Sequence, residues 1–234
     1  TDDCAVLWIF IGGRQELMIT KKYFNYRKSI NKNIERDSLG FREIETLKLI
    51  SNLIDFDFPT EGVLIDLGGN DGHNKSAVEN SGLDYIEIDI DTCNFNTDKL
   101  PFNNNSIDVA ISLAVIEHIE NIDFYISEIK RVLKPGGLIY LSTPNFKMCY
   151  KDFYNDPTHI RPFTPISLEV LLKMFGYNNI ATFPGLRCKP DWYYKGKYRF
   201  LKAYWLLPFT GNNRYAPDFL RGKATSVFAV GIKW

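Results

Sequence analysis

The chain has 234 residues, 45% of them hydrophobic, which suits one α/β core with small additions rather than two domains. Its 28 basic and 28 acidic residues balance, leaving no overall field to draw in nucleic acid or an anionic membrane. No apolar run approaches the roughly 20 residues of a membrane-spanning helix, and Cys4, Cys93, Cys149 and Cys188 are too scattered for a CxxC zinc or redox site; reduced thiols and a cytoplasmic protein are expected.

Residues 1–38 read as a leader and extension ahead of the domain, with Met18-Ile-Thr-Lys-Lys22 resembling a natural start. From 39 to 54, Phe41, Ile44, Leu47, Ile50, Leu53 and Ile54 recur at helical spacing, with Arg42, Glu43, Glu45 and Lys48 between them as the polar face. Residues 62–67 are a short apolar run ending on glycines, as a buried parallel strand does, and a helix is expected after Gly72. Residues 85–90 and 107–112 read as strands. Between 121 and 133, Ile122, Tyr125, Ile126, Ile129, Val132 and Leu133 form a helical stripe, with Asn121 placed as N-cap and Lys134-Pro-Gly-Gly137 as the stop. A strand follows at 138–142, a helix at 165–175 closed by Gly176, and strands at 180–183 and 224–232. Such alternation predicts a doubly wound, mainly parallel sheet with helices on both faces, in one domain over 39–234. Residues 186–222, rich in aromatic and basic side chains, read as an insertion covering one end of the sheet.

In an open α/β sheet the ligand sits beyond the carboxyl ends of the strands, and the turn after the first strand comes nearest to it. Asp66-Leu-Gly-Gly-Asn-Asp-Gly72 stands there. Its glycines permit a sharp turn and close backbone approach, and the next helix offers N–H groups to an anion such as a carboxylate. Asp89 ends the second strand about 20 residues on, where a carboxylate can accept hydrogen bonds from both hydroxyls of a ribose. Two other nucleotide readings fit less well. A phosphate loop at Gly69-Asn-Asp-Gly-His-Asn-Lys-Ser76 would set Asp71 among phosphate oxygens and has Asn74 in place of its glycine. The G-x-G-x-x-G of a dinucleotide site is missing.

The order of motifs beyond the turn resembles the class I S-adenosylmethionine-dependent methyltransferases, of the type 11 and type 23 kind. The resemblance rests on Asp66, Gly68 and Gly72, with Asn70 where the middle glycine usually stands, then on Leu100-Pro-Phe102, Ile107-Asp108, Val115-Ile-Glu-His118-Ile119 and Arg131-Val-Leu-Lys-Pro-Gly-Gly137. It implies a Rossmann-like, seven-stranded methyltransferase fold with S-adenosylmethionine as cofactor. It also implies a cofactor site made by Asp66, Gly68, Gly69, Asn70 and Gly72 in the turn, and Asp89 and Ile90 at the ribose. Asn96 and Thr97 would lie along the adenine edge, and Leu113, Ala114 and His118 would line the wall after the 107–112 strand. Asp108 reads as structural.

Methyl transfer from a sulfonium asks mainly for alignment and exclusion of water, so no metal is expected. A hydroxyl acceptor would gain from a base, and His118 and His159 are the candidates. The loop Asp156-Pro-Thr-His-Ile-Arg-Pro-Phe-Thr164 looks like the H-x-R-x-F-T loop of methyltransferases from cell-surface glycan and quinone biosynthesis. That likeness implies His159 as base or acceptor-orienting residue, and Arg161 as an anion ligand or a loop anchor. Trp192 and Tyr193 would offer a stacking surface. The expected acceptor is a small molecule or a glycan- or lipid-linked group, methylated on oxygen. Nucleic acid is disfavoured by the neutral charge and by Ser112-Leu-Ala-Val115 standing where base methyltransferases carry an Asn/Asp-Pro-Pro-aromatic tetrapeptide. Asn70 and Asn96 leave a reading from another class, a methyltransferase-like binding or scaffold protein without turnover.

Overall fold

In chain order the computed structural model runs α1 (Arg36–Leu53), β1 (Val63–Leu67), α2 (Lys75–Glu79), β2 (Asp84–Ile88), β3 (Ile107–Leu113), α3 (Ile122–Val132), β4 (Leu133–Pro144), α4 (Phe146–Cys149), α5 (Pro165–Met174), β5 (Tyr177–Pro184), β6 (Phe209–Thr210), β7 (Arg221–Lys223) and β8 (Ser226–Lys233). Single 3-10 turns fall at Ile116–His118 and Phe153–Asn155. The structure describes residues 22, 23, 25, 26, 36–69, 72–184, 209, 210 and 221–234. Most of the expected insertion at 186–222 lies outside them.

Six strands form the main sheet in the order β2-β1-β3-β4-β8-β5. β1 to β4 are parallel, and β8 runs antiparallel to both neighbours. Alternate residues of the central strands divide between two cores, which explains their continuous apolar runs. Leu64, Val109, Tyr140 and Phe228 pack under Ile44, Leu47 and Ile50 of α1 and Val78 of α2. Ile65, Leu67, Ile139 and Ala229 pack under Ile126 and Ile129 of α3 and Leu168 and Leu172 of α5. Helices therefore cover both faces, the doubly wound arrangement that the sequence predicts.

The helix boundaries follow the local chemistry. Asn121 caps α3, its side chain accepting the Phe124 N–H at 3.2 Å. Thr164 and Ser167 form a reciprocal capping box at the start of α5, with Pro165 in its first turn.

Two expectations are corrected. Seven strands were implied, but 89–106 runs as turns and coil, so β2 is an edge strand and the main sheet has six among the described residues. The polar face of α1 is also rotated. Phe41 is 50% exposed while Glu43 is 2% exposed, its carboxylate accepting a hydrogen bond from the Tyr140 hydroxyl at 2.8 Å. Close packing of Gly40 against the backbone at His73, where a Cβ would meet the carbonyl oxygen at 2.0 Å, brings that side of the helix inward.

The Leu100-Pro-Phe102 and Arg131 motifs occur together because one holds the other. Arg131 Nε and Nη2 donate to the two Glu128 oxygens, each at 2.8 Å. The same guanidinium donates to the carbonyls of Leu100 at 2.9 Å and Phe102 at 2.8 Å, and Glu128 Oε2 accepts the Leu100 N–H at 2.9 Å. Arg131→Ala takes the guanidinium from a largely buried carboxylate, which keeps only the Leu100 N–H, and from the Phe102 carbonyl, and is expected to cost about 2–4 kcal/mol in urea unfolding. The hydrogen bonds from Arg131 hold the Glu128 carboxyl below its ordinary 4.5 despite burial. Its contribution is therefore fully present above pH 4.5 and is lost as pH falls through the lowered value. Arg131→Ala should flatten the unfolding free energy across that acid window. Asp108 is similarly structural, accepting from Lys134 Nζ at 2.8 and 2.9 Å and from the Val63 N–H at 2.9 Å.

Candidate active site

Strand register sets one row of residues at the carboxyl edge. Leu67 pairs with Ile88 on one side and Ser112 on the other, and Leu113 pairs with Ser142. The next residues, Gly68, Asp89 and Leu113, therefore emerge beside one another, with Ala114 and Thr143 one position further along β3 and β4. Gly68 donates to the Ile88 carbonyl at 2.7 Å, and Ala114 to that of Ser142 at 2.8 Å. Gly68 has φ +82, and a Cβ there would stand 2.4 Å from Val115 Cγ2. Only glycine combines that left-handed turn with so close an approach. Ala114 takes a left-handed conformation, φ 57, at the end of β3, a strained geometry of the kind that gathers at functional sites.

Asp66, 1% exposed, lies beneath this turn. Its Oδ2 accepts from Asn74 Nδ2 at 2.8 Å and from the Tyr85 hydroxyl at 2.9 Å. Burial raises its pKa against the pull of those two bonds. Gly69 sits directly over it, since a Cβ there would come within 2.9 Å of the Asp66 carboxylate and the Tyr85 oxygen. Asn74 and Tyr85 are site residues that sequence reading missed. Both read as ordinary members of a helix start and a strand, and only the folded register brings them to Asp66.

Gly72, with φ +65, leads into α2. At the tip of β2, the Asp89 carboxylate accepts the Ile90 N–H at 2.7 Å, which fixes its orientation at the sheet edge. Asn96 Oδ1 accepts the N–H groups of Glu120 and Asn121, each at 3.0 Å. That oxygen ties the loop after β2 to the cap of α3. Thr97 is exposed and donates to Asp98 at 2.9 Å. Leu113 is half-buried beside Ala114. Asn70, Trp192 and Tyr193 lie outside the described residues.

A second cluster flanks the row. The loop at 156–164 docks on the 3-10 turn Ile116–His118, the Glu117 carbonyl accepting the N–H groups of Ile160 at 3.0 Å and Arg161 at 3.1 Å. The docking brings His159 against His118, ring centroids 4.8 Å apart. His159 Nδ1 lies 2.6 Å from the Phe153 carbonyl, and Nε2 lies 3.9 Å from Glu117 Oε1 and 3.8 Å from Asp156 Oδ2. His118 Nδ1 lies 2.9 Å from the Thr158 carbonyl. Because a carbonyl only accepts, each neutral imidazole carries its proton on Nδ1 and its lone pair on Nε2. Desolvation lowers the His118 pKa, favouring the neutral ring.

Glu117, 0% exposed, accepts from the Thr143 hydroxyl at 2.9 Å. Hydrogen bonds from Thr158 and Tyr23 hold Asp156 below its ordinary value, although burial opposes them. Arg161 donates to the Glu120 carbonyl at 3.1 Å, the loop-anchoring arrangement. The sequence placed Glu117 in a recurrent Glu-His pair without giving it a part; its proximity to His159 depends on the loop docking.

A Rossmann-like sheet with a glycine turn over a buried carboxylate and a second carboxylate at the next strand end is the class I fold of S-adenosylmethionine-dependent methyltransferases. The family model for a methyltransferase domain matches residues 41–182, more than half of the chain, and the chain belongs to that family, whose methyl donor is S-adenosylmethionine. A probable S-adenosylmethionine-dependent methyltransferase of Mycolicibacterium smegmatis is 33% identical over 109 residues, 41% of this chain and 42% of that protein. The mitochondrial ubiquinone biosynthesis O-methyltransferase of Dictyostelium discoideum is 37% identical over 68 residues, 29% of this chain and 20% of that protein. The chain thus spans less than half the length of these curated relatives. A crystal structure of an S-adenosylmethionine-dependent methyltransferase from Archaeoglobus fulgidus shares the fold at TM-score 0.54 and 16% identity, over 82% of this chain and 94% of that one. Among the described residues no helix is long and apolar enough to cross a membrane.

Proposed function

We propose that the domain methylates a hydroxyl group on a small molecule or a glycan- or lipid-linked acceptor, with His159 as the residue that receives the acceptor's proton. The observation that carries this reading is the lone pair fixed on His159 Nε2 by the Phe153 carbonyl at 2.6 Å, beside the carboxylates of Glu117 and Asp156. An imidazole so oriented accepts a proton, and the neighbouring carboxylates stabilise the cation that forms. The preference for oxygen also agrees with the O-methyltransferase relative from Dictyostelium discoideum.

The turn suits the cofactor, because Gly68 and Gly69 let the backbone fold tightly over Asp66 and against Val115, where any side chain would clash. Bound S-adenosylmethionine supplies an electrophilic methyl group. Asp66 would face the ammonium of its methionine moiety, Asp89 would hold the ribose hydroxyls, and the Asn96 amide nitrogen would reach the adenine edge. Leu113 and Ala114 would exclude water from the pocket wall, and Arg161 would hold the acceptor loop in place.

Asp66→Asn separates binding from stability. The Asp66 pKa is raised by burial above 3.8, so any stabilisation linked to that shift is present below 3.8 and is lost as pH rises through the raised value. At neutral pH a neutral amide, whose oxygen can accept both hydrogen bonds, should keep or raise the melting temperature. Loss of the charge should weaken S-adenosylmethionine binding by about tenfold. The acceptor reading is tested by incubating the chain with methyl-labelled S-adenosylmethionine and separate pools of hydroxyl and amine acceptors. Label confined to the hydroxyl pool supports it. Label confined to amines contradicts it, and tight cofactor binding without label in any pool favours a scaffold.

A further inference from the structure

The cluster of Glu117, His118 and His159 carries donor chemistry beyond a lone base. One carboxylate oxygen and one nitrogen from each ring lie within 4.8 Å of one another. Tetrahedral zinc with ligand bonds of about 2.0–2.1 Å sets its ligand atoms about 3.3 Å apart, so side-chain movements of an ångström or so close the cluster around an ion. His159 Nε2 and Glu117 Oε1 are already 3.9 Å apart.

We propose that Glu117, His118 and His159 bind a divalent transition-metal ion of the zinc or cobalt type beside the cofactor turn. Two neutral imidazoles and one carboxylate form a three-ligand set that leaves a fourth, open position. Each histidine holds its Nδ1 proton on a backbone carbonyl, Thr158 for His118 and Phe153 for His159. This outer arrangement orients a ligating imidazole and presents Nε2 to the metal. The Thr143 hydroxyl does the same for the Glu117 carboxylate at 2.9 Å. Ring stacking alone accounts for the nearness of His118, His159 and Phe153. It does not account for the Glu117 carboxylate oxygen lying 3.9 Å from His159 Nε2, the approach that a shared ion requires.

The role of the ion rests on the methyl-transfer reading above. At the open position it would bind an acceptor hydroxyl and lower its pKa, so that the proton leaves to solvent. With the ion bound, His159 Nε2 is a ligand, and the ion takes over the proton-releasing part proposed above for the metal-free imidazole.

The test is a cobalt(II) titration of the tag-free chain followed by visible absorption, with calorimetry of S-adenosylhomocysteine on the same samples. One equivalent should produce the intense bands of tetrahedral cobalt. Glu117→Gln and His159→Ala should each abolish the bands, and zinc should displace them. Chelation should lower turnover, and zinc should restore it. A wild-type spectrum without such bands, or bands that survive both substitutions, overturns the site whether or not S-adenosylhomocysteine binds. Intact bands in a chain that does not bind S-adenosylhomocysteine overturn the methyl-transfer reading instead.

Discussion

Replacing His159 by alanine is expected to lower turnover by about 100-fold or more while leaving affinity for S-adenosylhomocysteine within about twofold. The two effects separate because the imidazole stands on the docked loop at 156–164, whereas the cofactor side is built by the ends of β1 and β2. Substitution removes the Nε2 that lies 3.9 Å from Glu117, together with ring contact to Phe153 and His118. His159→Gln is the useful companion, since it keeps a polar side chain but cannot accept a full proton. A catalytic part predicts that both variants lose turnover when assayed well below their melting temperatures, which the lost ring contacts lower. Equal turnover in wild type and His159→Gln would remove His159 from the chemistry.

Gly68→Ala is expected to destabilise the fold by about 2–4 kcal/mol and to weaken cofactor binding at least tenfold. One part is left-handed strain at φ +82, worth about 1–2 kcal/mol for a residue with a Cβ. The other is overlap with Val115 Cγ2, only 2.4 Å from the added carbon. The two parts can be separated, because Val115→Ala removes the colliding methyl. Alone it should cost about 1–2 kcal/mol as a partly buried truncation. In Gly68→Ala/Val115→Ala the overlap is gone and only strain and lost packing remain. The double variant should therefore be more stable than the sum of the singles predicts. Strict additivity in urea unfolding would mean that Gly68 and Val115 do not meet in solution.

Periodicity made the architecture legible. The runs at 62–67 and 107–112 fall within one residue of β1 and β3, and 138–142 lies inside the longer β4, because strands buried on both faces leave a continuous apolar record. Asn121 and Thr164 show how caps sharpen helix starts. Spacing alone could not phase α1, since Glu43 enters the core beside a partner far away in the chain, Tyr140. Nor could it reveal that 89–106 forms no outer strand, since the seventh was inherited from a family pattern.

At the site, the row of Asp66, Gly68 and Asp89 follows from motif and strand order. The groups around it do not. Tyr85 reaches Asp66 across 19 positions, and the Thr158 carbonyl reaches His118 across 40. Hydrogen bonds between loops and turns leave no periodic trace. Glu117 had one usable signal, a carboxylate adjoining the candidate histidine at a strand end, and its partner His159 was already singled out on another loop.

The central claim is that the turn over Asp66 and the carboxylate of Asp89 form an S-adenosylmethionine pocket. Isothermal calorimetry of S-adenosylhomocysteine against the wild-type chain and Asp89→Ala tests it most directly, with ATP and NAD as comparison ligands. The account predicts saturable binding of S-adenosylhomocysteine alone, weakened by about tenfold or more in Asp89→Ala through loss of charge-assisted hydrogen bonds to the ribose. Binding of ATP or NAD in its place, or affinity for S-adenosylhomocysteine unchanged by Asp89→Ala, would contradict it.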